Sequence, residues 1–285
     1  MIGMLRRLGR DQVQSLERMF WRPGKLVGAV SAFLALFALS GVANAQLSGG
    51  LQFPGPGTAH SASVGPPSAT YRTTASISSA TGSTSISQAA LDIVNAAADL
   101  QLIVGITVAA DQTITGTPTI TPDGGGAING TVVKSDTAND ANVSILQFAI
   151  PNGTDLTNAT LAYTLTGGIF NGSRAGFWTI PTADMVSTTG TVITVTSASA
   201  TSASITTLPT STGGTVIAVG MSADPTPSTT WGGIASGGED YDTAAFAAAH
   251  SGAHANGLSA SGGATVSATF TGSGAAVRVT AVTYR

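Results

Sequence analysis

The chain offers few places for chemistry. His250 and His254 stand four residues apart. On a continuous helix that spacing puts two imidazoles on one face, as in a metal-ligand pair. Gly252 lies between them and no Glu follows His250, so the zinc-protease pattern is missing. The third histidine, His60, stands alone. The densest acidic group is Gly238-Glu239-Asp240-Tyr241-Asp242. Glu239, Asp240 and Asp242 in a Gly-rich stretch supply oxygen ligands of the kind calcium takes, without EF-hand spacing. Calcium there is one expectation, and capping of a following helix by Asp242 is the other. Asp136, Asn139 and Asp140 form a thinner group of the same type. Trp231, followed by Gly232-Gly233, and Tyr241 are the aromatic candidates for stacking on a sugar ring. No catalytic residue emerges. The chain has no cysteine and no Gly-x-Ser-x-Gly nucleophile elbow, and Glu239 is the one Glu beyond the N-terminal region, so the chain reads as a non-enzyme.

The elements that must position these residues are strands. Short β-branched runs cover 103–109, 113–121, 143–150, 159–166, 176–180, 191–196, 203–208, 215–221, 265–271 and 276–284. In Thr265-Val266-Ser267-Ala268-Thr269-Phe270 and in Val277-Arg278-Val279-Thr280-Ala281 apolar and polar positions alternate, as in half-buried strands. Asn129-Gly130, Asn152-Gly153 and Asn171-Gly172 are turn dipeptides. The spacing of apolar residues predicts a helix over 87–100, and a second short one over 243–250 capped by Asp242. The stretch 251–263 reads as a loop. The expected fold is all-β, a β-sandwich or jelly roll with one or two short helices.

Three regions follow. Residues 1–45 read as a signal peptide: a basic start ending at Lys25, an apolar run from Leu26 to Ser40, and the small-x-small pair Ala43 and Ala45 before Gln46. Residues 46–85 form a Pro/Gly/Ser-rich extension. Residues 86–285 hold the sandwich region, one large or two small domains with a boundary near 134–142. An uncleaved run would be the chain's one link to a membrane. Export places the protein outside the cell, on its surface or in a periplasm.

Charged residues make up 9 % of the chain, against about 25 % in ordinary soluble domains. Six of the 11 basic residues precede Leu26, which leaves five basic and twelve acidic residues beyond Ala45. A surface so poor in Lys and Arg excludes nucleic acid as a partner. Lys134 is the one Lys beyond the leader, so few edge lysines guard the sheets against lateral pairing.

Val143-Ser144-Ile145-Leu146-Gln147-Phe148, Leu161-Ala162-Tyr163-Thr164-Leu165-Thr166-Gly167-Gly168 and Thr215-Val216-Ile217-Ala218-Val219 resemble bacterial surface-layer and adhesin-type sandwich modules. The likeness is one of texture over about a third of the chain, 141–221. It implies surface display and self-association, often calcium-dependent, and it transfers no site residue. The penultimate Tyr284 is similar to the end of chaperone–usher pilins, but the alternation of the last strand departs from theirs and their cysteine pair is missing. The reading is an exported structural or adhesive protein that self-associates through sandwich edges. A secreted carbohydrate-binding module, with surface glycans as partners, and a phage virion or tail-fibre sandwich are the alternatives.

Expressed with its own N-terminus in a bacterium, the protein is expected to be exported and to begin at Gln46 on N-terminal sequencing. Ala45→Phe is expected to leave the precursor uncut, because the peptidase pocket takes small residues. An uncut wild-type chain held in the membrane would make the apolar run an anchor instead.

Overall fold

Alternation of apolar and small polar residues governs the backbone from Thr70 to Tyr284. The computed structural model describes residues 66–285 apart from 79–81, 110, 139–140, 169–171, 188–189, 198–200, 226–228, 235–237 and 273–275. The leader, with Ala43, Ala45 and Gln46, lies outside the described residues, as do His60, Asn139 and Asp140. Among the described residues sixteen strands form. They are β1 Thr70–Ser78, β2 Ser85–Leu91, β3 Leu100–Val108, β4 Ile114–Thr121, β5 Ile128–Ala138, β6 Ala141–Ile150, β7 Ala159–Leu165 and β8 Gly172–Pro181. Then follow β9 Thr191–Ser197, β10 Ser202–Thr210, β11 Gly214–Ser222, β12 Thr229–Gly232, β13 Glu239–Ala245, β14 Ala248–Leu258, β15 Ser261–Phe270 and β16 Val277–Tyr284. The pairings are antiparallel throughout. No helix among the described residues is long and apolar enough to cross a membrane.

The strands make an all-β, sandwich-like stack. An eight-stranded sheet runs β1-β8-β3-β6-β5-β4-β7-β2, a five-stranded sheet β13-β14-β11-β16-β9, and a three-stranded sheet β10-β15-β12. The largest sheet folds over on itself. Leu102, Val104 and Ile106 of β3 share one apolar core with Ile77 of β1, Ile86 of β2, Ile120 of β4 and Leu161 of β7. Its other face carries Ile103, Val143, Ile145 and Trp178, which meet Ile217, Val219, Met221 and Tyr284 of the five-stranded sheet. The far face of that sheet packs Val216, Ala218, Val279 and Ala281 against Ile205, Val266 and Phe270 of the smallest sheet. Four layers thus enclose three cores. Successive residues of a strand point to opposite faces, so β3, β11 and β16, with layers on both sides, are buried from end to end.

Two expected helices are strands. Over 87–100 the apolar spacing fits a helix, yet β2 occupies its first part, and the following residues run extended beside 153–156. Ile93 N donates to Leu156 O (3.0 Å), Leu156 N to Val94 O (2.8 Å) and Ala96 N to Thr154 O (2.8 Å). Ile93 and Ala96 are buried by this pairing. Helix propensity of Ala is a fraction of a kcal/mol, less than a partnered extended segment over a core provides. Over 243–250 the chain finishes β13, turns at Phe246-Ala247 and begins β14. The described helical element is one 3-10 turn, Thr182–Asp184. The span 251–263, read as a loop, is mostly β14 and the start of β15, and β1 lies inside the Pro/Gly/Ser-rich extension. Asn152-Gly153 is a turn with Gly153 at φ 81°, whereas Asn129-Gly130 sits inside β5. The span 134–142 is the end of the β5–β6 hairpin, where Thr137 pairs with Asn142.

The two large sheets press together at Gly105. A Cβ there would stand 2.2 Å from Val219 Cγ1 and 3.1 Å from the Trp178 ring. Gly105→Ala is expected to cost about 2 kcal/mol by overpacking. Combined with Val219→Ala, part of that loss should return, so the two changes add to less than their sum in urea unfolding. Strict additivity would mean that the sheets do not meet there.

Candidate functional site

Strand β14 brings the polar residues together. Its alternation points His250, Gly252, His254 and Asn256 toward the eight-stranded sheet, and Ala249, Ala253 and Ala255 toward the smallest one. His250 and His254 therefore share a face. Four residues of strand separate them by about 13 Å, too far for one metal ion.

Asp240 is the centre of the cluster. Glu239 pairs with Ala253 and Tyr241 with Gly252, so Asp240 is the extra residue of a β-bulge. Bulges re-aim side chains, and this one turns Asp240 inward to 7 % exposure. Its Oδ2 accepts a hydrogen bond from Trp178 Nε1–H at 2.7 Å. His254 Nδ1 lies 2.8 Å from both carboxylate oxygens. Tyr71, Trp178 and Tyr241 surround the pair with ring centroids 5.8–6.2 Å apart. Tyr241 is buried between two glycines, since a Cβ on Gly176 or Gly252 would stand 2.4 or 2.3 Å from its ring. Its hydroxyl has no hydrogen-bond partner, and burial pushes its ionisation well above the usual range. Burial, and next the Asp240 carboxylate, also raise Tyr71.

The three carboxylates expected to gather around calcium point to different partners. Asp240 serves Trp178 and His254. Asp242 accepts from Thr229 N (2.7 Å) and Thr229 Oγ1 (3.2 Å), which ties β13 to β12 and not to a helix. Glu239 is exposed, and its carboxyl is raised by partial desolvation and then by Asp242 and Asp240. Among the described residues no three His, Cys, Asp or Glu side chains gather into a metal site. Trp231 is half-buried; its Nε1–H donates to Ser251 Oγ at 2.8 Å, and its ring lies over Gly220. Of the two expected aromatics, Tyr241 is buried, whereas Trp231 is half-buried with Gly220 against one side of its ring.

Two further polar links join the layers. The Asn256 amide grips the backbone of Ala69, accepting from its N–H (2.8 Å) and donating to its carbonyl (2.9 Å). Arg278 of β16 is 4 % exposed, with Nη2 2.7 Å from Asp136 Oδ1 and Lys134 Nζ 3.3 Å from Oδ2. Burial raises the Asp136 carboxyl, but the two cations outweigh it and hold it below the usual range. Arg278 Nε and Nη1 remain buried without a partner. Sequence reasoning passed over both residues. A signal existed for Arg278, a lone charge between Val277 and Val279 in an alternating strand, but none for Asn256.

A cavity of about 270 Å³ opens beside β1, with Arg72, Asn95, Asp99 and Thr179 in its wall. Its polar groups are partly engaged: Arg72 Nε donates to Thr179 Oγ1 (2.7 Å) and Asp99 Oδ1 accepts from Asn152 N (2.7 Å). The Asp240–His254 pair has the form in which a carboxylate orients an imidazole as a proton acceptor. Among the described residues, however, its hydrogen bonds lead to Trp178 and not to a nucleophile. The cluster joins two sheets. In comparison with known proteins, the chain matches no family model and no curated protein.

Asp240→Ala strands the buried Trp178 N–H and the part-buried His254 donor and is expected to lower the unfolding free energy by about 3 kcal/mol, with Asp240→Asn losing less. Urea unfolding followed by tryptophan fluorescence measures both. A loss below about 0.5 kcal/mol for the alanine variant would remove Asp240 from the frame.

Proposed function

We propose that this is an exported structural or adhesive protein that assembles with copies of itself through its sheet edges. The observation that carries the reading is the layering. Four β layers enclose three apolar cores, and inward-facing polar groups such as Asp240, Asn256 and Arg278 are engaged in joining layers. A scaffold of this kind puts its sequence into rigidity. Among the described residues its terminal strands, such as β1 and β2, pair on one side only, and an unpaired edge is a template for another chain. Lys134 is the one Lys beyond the leader, so few edge lysines guard these strands against pairing. The glycan-binding alternative has less support, because the Tyr241 ring is covered on both sides.

Light scattering on the exported chain across concentration tests this. The expected result is a mass above the monomer that rises with concentration. The mass should not change with calcium or chelator, because Asp240 and Asp242 are already bonded within the protein. A strict monomer at high concentration, with and without calcium, would overturn the proposal.

A further inference from the structure

The β13–β14 hairpin is built under tension. Its two turn residues, Phe246 and Ala247, adopt φ 53° and 60°. That is the left-handed region, which a two-residue hairpin turn of this hand requires and which Asn-Gly fills far more readily. Residues held so are kept in place by what surrounds them. Here the clamp is His250. Its Nε2 is 2.9 Å from the Ala245 carbonyl, an acceptor only, so Nε2 bears the proton. Its Nδ1 then accepts from the Thr107 hydroxyl of β3 at 2.7 Å. The Phe246 ring stands edge-on to the imidazole, 6.5 Å between centroids, and packs on Gly172 of β8. One neutral, fully buried imidazole thus joins β13 and β14 to the eight-stranded sheet.

Beneath the hairpin lies β11, which pairs with β14 on one side and β16 on the other. Its run Thr215-Val216-Ile217-Ala218-Val219-Gly220-Met221 holds no charge and is buried throughout. An uncovered edge of that composition is a template for strand addition.

We propose that the β13–β14 hairpin is an acid-released cover over β11, and that β11, once uncovered, pairs with a second copy of the chain. The second half rests on the self-assembly reading above. Protonation of His250 reverses its bond with Thr107, whose hydroxyl must then turn to the Arg174 carbonyl at 3.4 Å, and places a cation where water does not reach. The groups facing it are Thr107 from β3, Arg174 from β8, the Ala245 carbonyl from β13 and Phe246 from the turn; Arg174 is the charged one, and it repels. Burial, with Arg174 added, pulls the imidazole down to about 4, only partly offset by the Ala245 carbonyl. A group lowered on folding contributes closure that is complete above its free value, about 6.5, and is lost as pH falls from there toward 4. The hairpin-opening equilibrium should rise roughly a hundredfold between pH 7 and pH 4.

The chain carries its own reporters. Trp178 donates to Asp240 on β13 and Trp231 to Ser251 on β14. Tryptophan emission, hydrogen-exchange protection of 248–255 relative to 100–108, and light-scattering mass would be followed on the exported chain from pH 7 to pH 4. Expected are a red shift, loss of protection confined to the hairpin, and a rise in mass as it opens. His250→Gln retains a donor and an acceptor and should flatten the response. Ala247→Gly relieves the turn and should lower opening several-fold at every pH with the same pH slope. Equal loss of protection in both segments, or an unchanged slope in His250→Gln, would overturn the release. Opening without any rise in mass would overturn pairing through β11 while leaving assembly at neutral pH to be judged by its own experiment.

Discussion

Burial on both faces of the central strands is the constraint from which the rest of this protein follows. A strand covered on one side can alternate apolar and polar residues. One covered on both sides leaves little room for groups that need water, and β3 and β11 hold almost none, while β16 keeps its alternation with Arg278 and Thr280 buried. The low charge content of the chain is a consequence of this layering. With four layers, a large share of positions faces another sheet, and few remain where a charge can be solvated. Small residues follow for the same reason: Gly105, Gly176 and Gly252 lie where a neighbouring layer leaves no room for a Cβ.

Polar groups that do enter the stack come with partners. Asp240 receives two donors, Asn256 both donates and accepts, and Thr107 meets His250. Apolar contact between sheets is tolerant of sliding, whereas these bonds fix which residue faces which. Arg278, with one ion pair and two nitrogens unpartnered, departs from this, as does the Tyr241 hydroxyl. A buried charge left half-satisfied is costly, and it identifies the junction of β16 with β5 as a weak point in the frame.

Much of the fold was legible in the sequence where side chains carry the signal. The β-branched runs at 103–109, 143–150 and 215–221 became β3, β6 and β11, and Val277, Val279 and Ala281 do face away from Val282 and Tyr284. Strand β14 was not legible. Ala248-Ala249-His250-Ser251-Gly252 has the composition of a loop, and it is a strand because it pairs on both sides between two layers, with no room for a Cβ at Gly252. The same holds for the stretch after Gln88, whose helical spacing yields to a pairing partner more than fifty residues away. Of the candidate site, the acidic residues were visible but their aims were not. A one-residue bulge decides where Asp240 points, and a bulge is a property of the paired strand rather than of the residue.

The grip of Asn256 on Ala69 spans 187 positions of chain, and Tyr284 reaches back to Gln147 across 137. Such contacts form only after nearly all of the polypeptide is present, and topologies of this kind close slowly. The strand that starts the fold is therefore fastened by residues made near its end. A chain that locks last-to-first stays unlocked until its last strands are available, which is what the export proposed above would require of it.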